Sequence, residues 1–223
     1  MKTSNTKITR IDWEEKLEVA KNFMKSRKNK KKVLIEIAAQ HPLDNGRFPN
    51  EEFKQRLLLG KSLYQNEKKK GKCVEIYVPG SRHMHKNIVD EISLSQAGVN
   101  FLLKKGLAKK NINGENLNFK YKGKEGVYNS ADECFVASSY FRDGGFGILY
   151  SVLSPVQIFR KALHYIWFGV LPLFYTAPTQ DTYHDYIREV YDLIPYVRDF
   201  DPDMQSDSSY WGNKWRKERI PHS

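Results

Sequence analysis

Short apolar runs alternate along this chain with longer stretches in which apolar positions recur at helical spacing. The first run, at Val33, reads Val-Leu-Ile-Glu-Ile-Ala-Ala, and others begin at Cys73, Phe146 and Leu171. Runs of this length, rich in β-branched residues, are typical of strands that are covered on both faces of a parallel sheet. The pattern therefore predicts buried strands over 33–39, 73–78, 146–153 and 171–175.

Between these runs, apolar side chains recur every three or four residues, which indicates amphipathic helices. Asn50 and Ser130 are suited to cap a helix start, and Ser130 with Glu133 has the Ser-x-x-Glu order of a capping box. Gly71 and Gly106 are suited to end a helix. The predicted helices begin near residues 11, 50, 87, 130, 155 and 180, and they end near 24, 70, 105, 143, 168 and 193.

Strands and helices that alternate in this way give parallel strands joined by right-handed crossovers. We expect an α/β fold, a Rossmann-like three-layer sandwich with a mostly parallel sheet of four to five strands and helices on both faces. Residues 33–194 would form this domain, 1–32 a helical extension, and 195–223 a tail packed on the domain. Residues 118–123 could be a further strand or a loop.

The formal net charge is +11, and much of the excess lies in three lysine-rich runs at 25–32, 68–72 and 104–110. Each run falls where a helix is predicted to end, so the lysines would complement the helix dipole and keep the surface soluble. A surface for nucleic acid or anionic membrane is the alternative. Since no aromatic residues are interleaved with these lysines, nucleic acid is not the expected partner.

No apolar run approaches the ~18–20 residues that span a bilayer, and the N-terminus lacks the order of a signal peptide. We expect a cytoplasmic protein without a membrane span. Cys73 and Cys134 lie far apart in sequence and in no metal-ligand spacing, which indicates buried, reduced thiols.

Ligands of open α/β sheets bind beyond the carboxyl ends of the strands. That rule selects five loops: 40–47, 80–86, 121–130, 151–157 and 176–179. Helix N-termini with free N–H groups would face the same edge, which suits an anionic or strongly polar ligand. The ligand-binding candidates in or beside these loops are Gln40, His41, Arg56, Gly80, Ser81, Arg82, Tyr121, Asn129, Ser130, Glu133, Ser151, Ser154, Gln157, Arg160 and Thr176.

Several of these candidates have both a functional and a structural interpretation. Arg56, Arg82 and Arg160 could clamp a phosphate or carboxylate, but Arg160 could equally pair with Glu133 or Asp132, and Arg56 has the same two interpretations. Ser151 and Ser154 offer hydroxyls to a phosphate, and Asn129 and Ser130 could cap a helix while facing the ligand. Tyr121 could stack on a base or form the wall of its loop.

For proton transfer the candidates are Glu91, Asp90 and His83. A carboxylate at a helix start is also favoured by the dipole alone. His83, His85 and His41 could in principle form a metal trio, but their spacing is more typical of surface histidines, and no metal is expected.

The order of these motifs resembles the YdcF-like proteins, a bacterial family. The matching features over 33–178 are Arg56 after the first strand, Pro79-Gly-Ser-Arg after the second, Asp90-Glu91 at the next helix, Asn129-Ser-Ala-Asp-Glu, and the segment from Ser151 to Arg160. The resemblance implies a nucleotide-like ligand, with S-adenosylmethionine as one form. It also implies an envelope attachment through a membrane segment, which we do not find in this sequence.

The chain departs from the family pattern in three ways. Gln40-His41 replaces a glycine pair, Gly80-Ser81-Arg82 replaces Ser-Gly-Gly, and Gln157 stands where the family usually has a histidine. Glutamine cannot transfer a proton as histidine does. We therefore expect an enzyme that transfers or hydrolyses a group on a phosphorylated or nucleotide-like small molecule, or alternatively a non-catalytic module that binds a nucleotide or S-adenosylmethionine.

Overall fold

A computed structural model describes most of the domain. The described residues are 12–40, 42–82, 84–85, 88–114, 120–121, 124–125, 127, 130–187 and 189. The predicted tail at 195–223 and the predicted helix beyond 189 lie outside them.

Five parallel strands form one sheet, as predicted for an α/β Rossmann-like fold. Along the chain they are β1 (Lys32–Ile37), β2 (Cys73–Tyr77), β3 (Ile112–Asn113), β4 (Ile148–Leu153) and β5 (Leu173–Thr176). Their order across the sheet is β3-β2-β1-β4-β5. The order reverses between β1 and β4, because the chain builds outward from β1 first in one direction and then in the other.

In the described part of the chain, five α-helices of ten or more residues accompany these strands. They are α1 (Trp13–Ser26), α2 (Glu51–Lys69), α3 (Leu94–Lys104), α4 (Ser130–Asp143) and α5 (Ile158–Trp167), with a short 3-10 turn at Pro155–Gln157 before α5. The Asn50 side chain accepts a hydrogen bond from the Phe53 N–H at 2.9 Å and so caps α2. Residues 183–187 are also helical.

Two apolar cores lie on opposite faces of the sheet. Val33, Ile35 and Ile37 of β1 pack under α2 and α3 in the first core. Leu34 points to the other face, where the second core contains side chains of α4 and α5. Because successive strand residues alternate between faces, Glu36 also points into the α4–α5 side.

The N-terminal helix α1 packs on this second side. The rings of Trp13 and Trp167 lie edge to face with centroids 6.2 Å apart, and the Lys16 ammonium group lies 4.6 Å from the Trp167 ring. Phe23 contacts Phe141 of α4 in the same way, at 6.3 Å. The predicted extension therefore covers the outside of the α4–α5 layer.

The predicted start of one helix needs correction, and a segment left open as strand or loop contains a short strand outside the main sheet. The helix predicted from Asn87 begins at Leu94, because the Ser93 hydroxyl accepts from the Gln96 N–H at 3.0 Å and caps it there. Ile88–Val89 instead pairs with Met84–His85 in a small antiparallel hairpin. Lys120–Tyr121 pairs with Lys124–Glu125 in another and does not join the main sheet.

Cys73 is also exposed rather than buried, because it is the first residue of β2, whereas Cys134 is buried as expected. Among the described residues, no helix combines the length and the apolar character that crossing a bilayer requires.

Gly147, just before β4, packs closely against the segment that connects α1 to β1. A Cβ atom at Gly147 would overlap the backbone carbonyl of Asn29, while the Gly147 N–H donates to the Lys32 carbonyl oxygen at 2.9 Å. Only a residue without a side chain fits between these two segments.

We therefore expect Gly147→Ala to lower the free energy of unfolding by about 3 kcal/mol, since backbone has to move to make room. Gly71→Ala is the control, because Gly71 has a φ of +75° and no atom within 4 Å of the added Cβ. The free energy of unfolding of this control variant should fall by only about 1 kcal/mol, through backbone strain. Urea unfolding of both variants measures the difference, and equal losses would contradict the close approach.

Candidate functional site

The candidate site lies at the carboxyl ends of β1 and β4. These strands are neighbours, with Glu36 beside Ser151 and Ile37 beside Val152 in register. The Ala38 N–H continues the pairing by donating to the Val152 carbonyl oxygen at 2.9 Å. The strand order reverses between them, and ligands of open α/β sheets bind beyond the strand ends at such a reversal.

A buried charged cluster occupies this position. Lys161 of α5 donates from Nζ to Glu36 Oε1 at 2.6 Å, and the Ser151 hydroxyl donates to Glu36 Oε2 at 2.5 Å. The Lys161 ammonium group also lies 2.8 Å from Glu133 Oε2 at the start of α4. Glu36, Lys161 and Glu133, linked in this order, are called the buried triad below.

Burial differs within the triad. The side chains of Glu36 and Lys161 have no exposed surface, whereas 12% of the Glu133 side chain is exposed. Glu133 lies in the first turn of α4, where the helix dipole favours a negative charge. Glu133 is therefore the one triad member whose side chain has any surface exposed to solvent.

The electrostatics follow from this burial. Burial raises the pKa of Glu133, an effect that the Lys161 ammonium group opposes and the Glu36 carboxylate adds to. Burial by itself would lower the pKa of Lys161, but the carboxylates of Glu133 and Glu36 raise it above its ordinary value. Lys161 is therefore a fixed positive charge, and Glu133 is a carboxyl group that takes up a proton more readily than an exposed one.

Arg56 approaches the same strand end from α2 and is almost fully buried. Its guanidinium group donates to the carbonyl oxygens of Ala38 and Ala39 at 3.3 and 3.2 Å, and to Gln40 Oε1 at 2.9 Å. The Glu52 carboxylate lies 3.8 Å away. The predicted candidates Arg56 and Gln40 are thus brought together, with the guanidinium group largely occupied in holding the chain that leaves β1.

The start of α5 carries three further candidates. Ser154 occupies the cap position of the short turn after β4, but its side chain makes no capping hydrogen bond there. The buried Gln157 Oε1 atom has no hydrogen-bond partner among the described residues. Arg160 pairs with Glu189 at 3.3 Å, rather than with Glu133 or Asp132.

Thr176 is exposed at the end of β5, beside Leu153 in register, and so lies at the same edge. Ser151 is buried and its hydroxyl is engaged by Glu36. Ser130 begins α4, and the other edge candidate of this helix, Glu133, belongs to the buried triad.

The loop after β2 is tied to the rest of the edge. Gly80 has a φ of +123°, and a Cβ atom there would lie 2.9 Å from the Leu94 Cβ and 3.1 Å from the Ala39 Cβ. Ser81 exchanges two hydrogen bonds with Val127: its N–H donates to the Val127 carbonyl oxygen at 2.8 Å, and its hydroxyl accepts from the Val127 N–H at 2.7 Å. These contacts bring the loops after β1 and β2 and the segment before α4 together.

Asp90 and Glu91, two of the predicted acid–base candidates, form contacts between loops. The buried Asp90 carboxylate accepts from the Leu43 N–H at 3.1 Å, and the Arg82 Nε–H donates to the Asp90 carbonyl oxygen at 2.6 Å. Glu91 is exposed and forms an ion pair with Arg47. A catalytic role for Asp90 or Glu91 stays a prediction.

Four candidates cannot be placed in this site. His41, His83 and Asn129 lie outside the described residues, and for Tyr121 only the backbone pairing is described. Their predicted roles remain untested.

Two central residues, Glu36 and Lys161, were missed from the sequence. The available signal was the position of Glu36, a single charge inside a strand predicted to be covered on both faces. A charge in such a strand requires a buried partner, and Lys161 is that partner.

No protein-family model, curated protein or solved structure matches this chain. The resemblance to YdcF-like proteins therefore stays an expectation drawn from the order of the motifs.

Removing the Lys161 ammonium group from the buried triad should destabilise the folded state. We expect Lys161→Met to lower the free energy of unfolding by about 3–5 kcal/mol, because the Glu36 carboxylate is left buried without a counter-charge. Adding Glu36→Gln should recover part of the loss. Lys54→Met is the control, since Lys54 pairs with Asp44 at a partly exposed site and should lose at most about 1 kcal/mol. Urea unfolding that gives equal losses for Lys161 and Lys54 would contradict this account.

A buried histidine beside the triad should make stability depend on pH. Burial lowers the pKa of His164 well below 6.5, with the charges of Arg160 and Lys161 acting in the same direction. Below pH 6.5 the unfolded chain then binds a proton that the folded chain does not, so the free energy of unfolding should fall as pH decreases.

The expected contribution is up to about 1.4 kcal/mol per pH unit between pH 6.5 and 5. His164→Gln should remove this slope, whereas replacement of the exposed His184 by Gln should keep it. Chemical unfolding at a series of pH values measures both, and an unchanged slope in His164→Gln would show that another group is responsible.

Proposed function

We propose that this protein is an enzyme that binds a phosphorylated or nucleotide-like small molecule beyond the carboxyl ends of β1 and β4 and transfers or hydrolyses a group on it. The observation that carries the proposal is the buried triad at the reversal of strand order. Its outermost carboxyl group, Glu133, has a raised pKa and partial exposure. Membership of the YdcF-like family forms part of the proposal.

Glu133 is the residue that would handle the proton. A carboxyl group with a raised pKa can protonate a departing oxygen or accept a proton from an attacking water. Glu36 and Lys161 are positioning residues in this scheme. Lys161 holds the Glu133 carboxylate, Glu36 holds the Lys161 ammonium group, and the Ser151 hydroxyl holds Glu36.

Recognition of the ligand would come from polar groups at the same edge. The Ser154 hydroxyl makes no capping bond, and the Gln157 oxygen has no partner in the described part of the chain. N–H groups at the starts of α4 and α5 are suited to an anionic oxygen. Arg160 could add charge by exchanging its contact with Glu189 for the ligand.

A non-catalytic module that binds a nucleotide or S-adenosylmethionine is the second candidate. It is favoured by the internal engagement of two predicted clamp residues, Arg56 by backbone carbonyls and Arg160 by Glu189. Gln157, in the place of a proton-transferring histidine, supports the same alternative.

Ligand-dependent stability tests the proposal. The melting temperature should rise with at least one member of a panel of nucleotides, nucleotide sugars, sugar phosphates and S-adenosylmethionine, because a ligand present at 100 times its Kd adds about 2.7 kcal/mol to the folded state. Phosphorus NMR and mass spectrometry of the bound compound then report conversion.

We expect Glu133→Gln to keep the thermal shift and to slow conversion by about 10²–10⁴-fold, since the amide has the shape of the acid without its proton transfer. Glu18→Gln on the exposed side of α1 is the control and should change neither. A shift without conversion by the natural chain would support the binding module. A panel with no shift at all would overturn both.

A further inference from the structure

The fold places three lysine-rich runs side by side at the end of the sheet opposite the candidate site. The runs precede β1, β2 and β3, which are neighbours in the sheet. Neighbouring strands lie about 4.8 Å apart, so runs that are distant in sequence form one surface. This surface, made of residues 25–32, 68–72 and 104–110, is called the lysine face below.

Some cations of the lysine face have structural partners. Arg27 donates to the Phe146 carbonyl oxygen at 2.8 Å, and Lys30 donates to the Met24 carbonyl oxygen at 3.1 Å. Lys70 and Lys72 both pair with Glu67. Of these contacts, that of Lys30 is to a carbonyl oxygen in the last turn of α1.

Eight further lysines of the lysine face are exposed and make no contact of this kind in the described part of the chain. Their ammonium groups make no hydrogen bond or ion pair with any residue that the structure describes; they are Lys25, Lys28, Lys31, Lys68, Lys69, Lys104, Lys109 and Lys110. No acidic residue is interleaved within the three runs. Like charges gathered on one face repel each other, and a polyanion relieves that repulsion.

We infer that the lysine face binds the phosphate backbone of double-stranded nucleic acid without sequence preference. Clustered lysines bind such a backbone by releasing its condensed counterions. The planar guanidinium group that matches base edges is not offered here, because Arg27, the one arginine of the face, is engaged by Phe146, and lysine ammonium groups act as point charges. The interaction therefore depends on charge and not on sequence.

The same face is poorly suited to the other common polyanions. Stable attachment to a bilayer takes a second, apolar signal besides a basic patch. Binding of single strands relies on aromatic side chains that stack on the bases. The large exposed apolar side chains of the described residues lie outside the lysine face; they are Val19, Phe48, Leu58, Phe159, Leu173, Tyr183 and Tyr186.

Duplex binding by the full chain tests the inference. Fluorescence anisotropy with 24-base-pair DNA and RNA duplexes of mixed sequence, in ~50–300 mM salt, should give a log–log slope of the association constant of about −4 or steeper for at least one of them. A flat slope, or no binding to either duplex, would overturn it. So would binding to phosphatidylserine vesicles without binding to duplex.

Matched double variants locate the contact. Lys31→Gln with Lys69→Gln should reduce the magnitude of the slope by about 2 and weaken binding about 50-fold at 0.1 M salt, because about 0.9 of the slope is lost with each phosphate contact. Lys21→Gln with Lys61→Gln removes the same charge elsewhere and should leave both values unchanged. An equal effect of the two pairs would mean that net charge alone attracts the duplex and would refute the assignment.

Cys73 supplies an independent readout. It follows directly on the second run and is exposed, whereas Cys134 is buried. Bound duplex should slow alkylation of the Cys73 thiol in the natural chain and not in the Lys31–Lys69 variant. Unchanged alkylation in the presence of saturating duplex would show that the nucleic acid binds another surface.

Discussion

A carboxylate without access to water, that of Glu36, is the constraint on which the arrangement beyond β1 and β4 depends. An ion in the interior costs several kcal/mol unless its partners have good geometry. Lys161 and Ser151 supply those partners, and the second contact of Lys161 reaches Glu133. One buried charge therefore ties β1, β4, α4 and α5 into a fixed relation at the edge where a ligand would bind.

The polarity of a parallel sheet gives the molecule two different ends. Each helix returns the chain to the amino end of the next strand, so helix C-termini gather there and their dipoles favour cations. The dipole acts within the last turn and accounts for Lys25, Lys68, Lys69 and Lys104. The dipole does not account for Lys31, between α1 and β1, or for Lys109, between α3 and β3. Because of such lysines, the lysine face is more than a set of helix ends.

Local patterns were sufficient to predict the fold but not its central contact. The alternation of buried runs with helical periodicity predicted the α/β class and four of the five strands. The third strand has only two residues, Ile112 and Asn113, and carries no periodicity to detect. Lys161 follows Arg160 in an amphipathic helix, where a lysine is usually solvated. Its pairing with Glu36 spans 125 residues, and no local pattern contains it.

A structural role alone is a weak explanation of the buried triad. Apolar residues of similar volume can replace a buried ion pair with little loss, and sometimes with a gain in stability. The exposure of the triad side chains also increases from Glu36 and Lys161 to Glu133. Glu36 and Lys161 are fully enclosed, and Glu133, partly exposed, has its carboxyl group at the start of a helix. Such a gradient leaves one carboxyl group with a raised pKa partly exposed to solvent, which is what the proposed proton transfer requires.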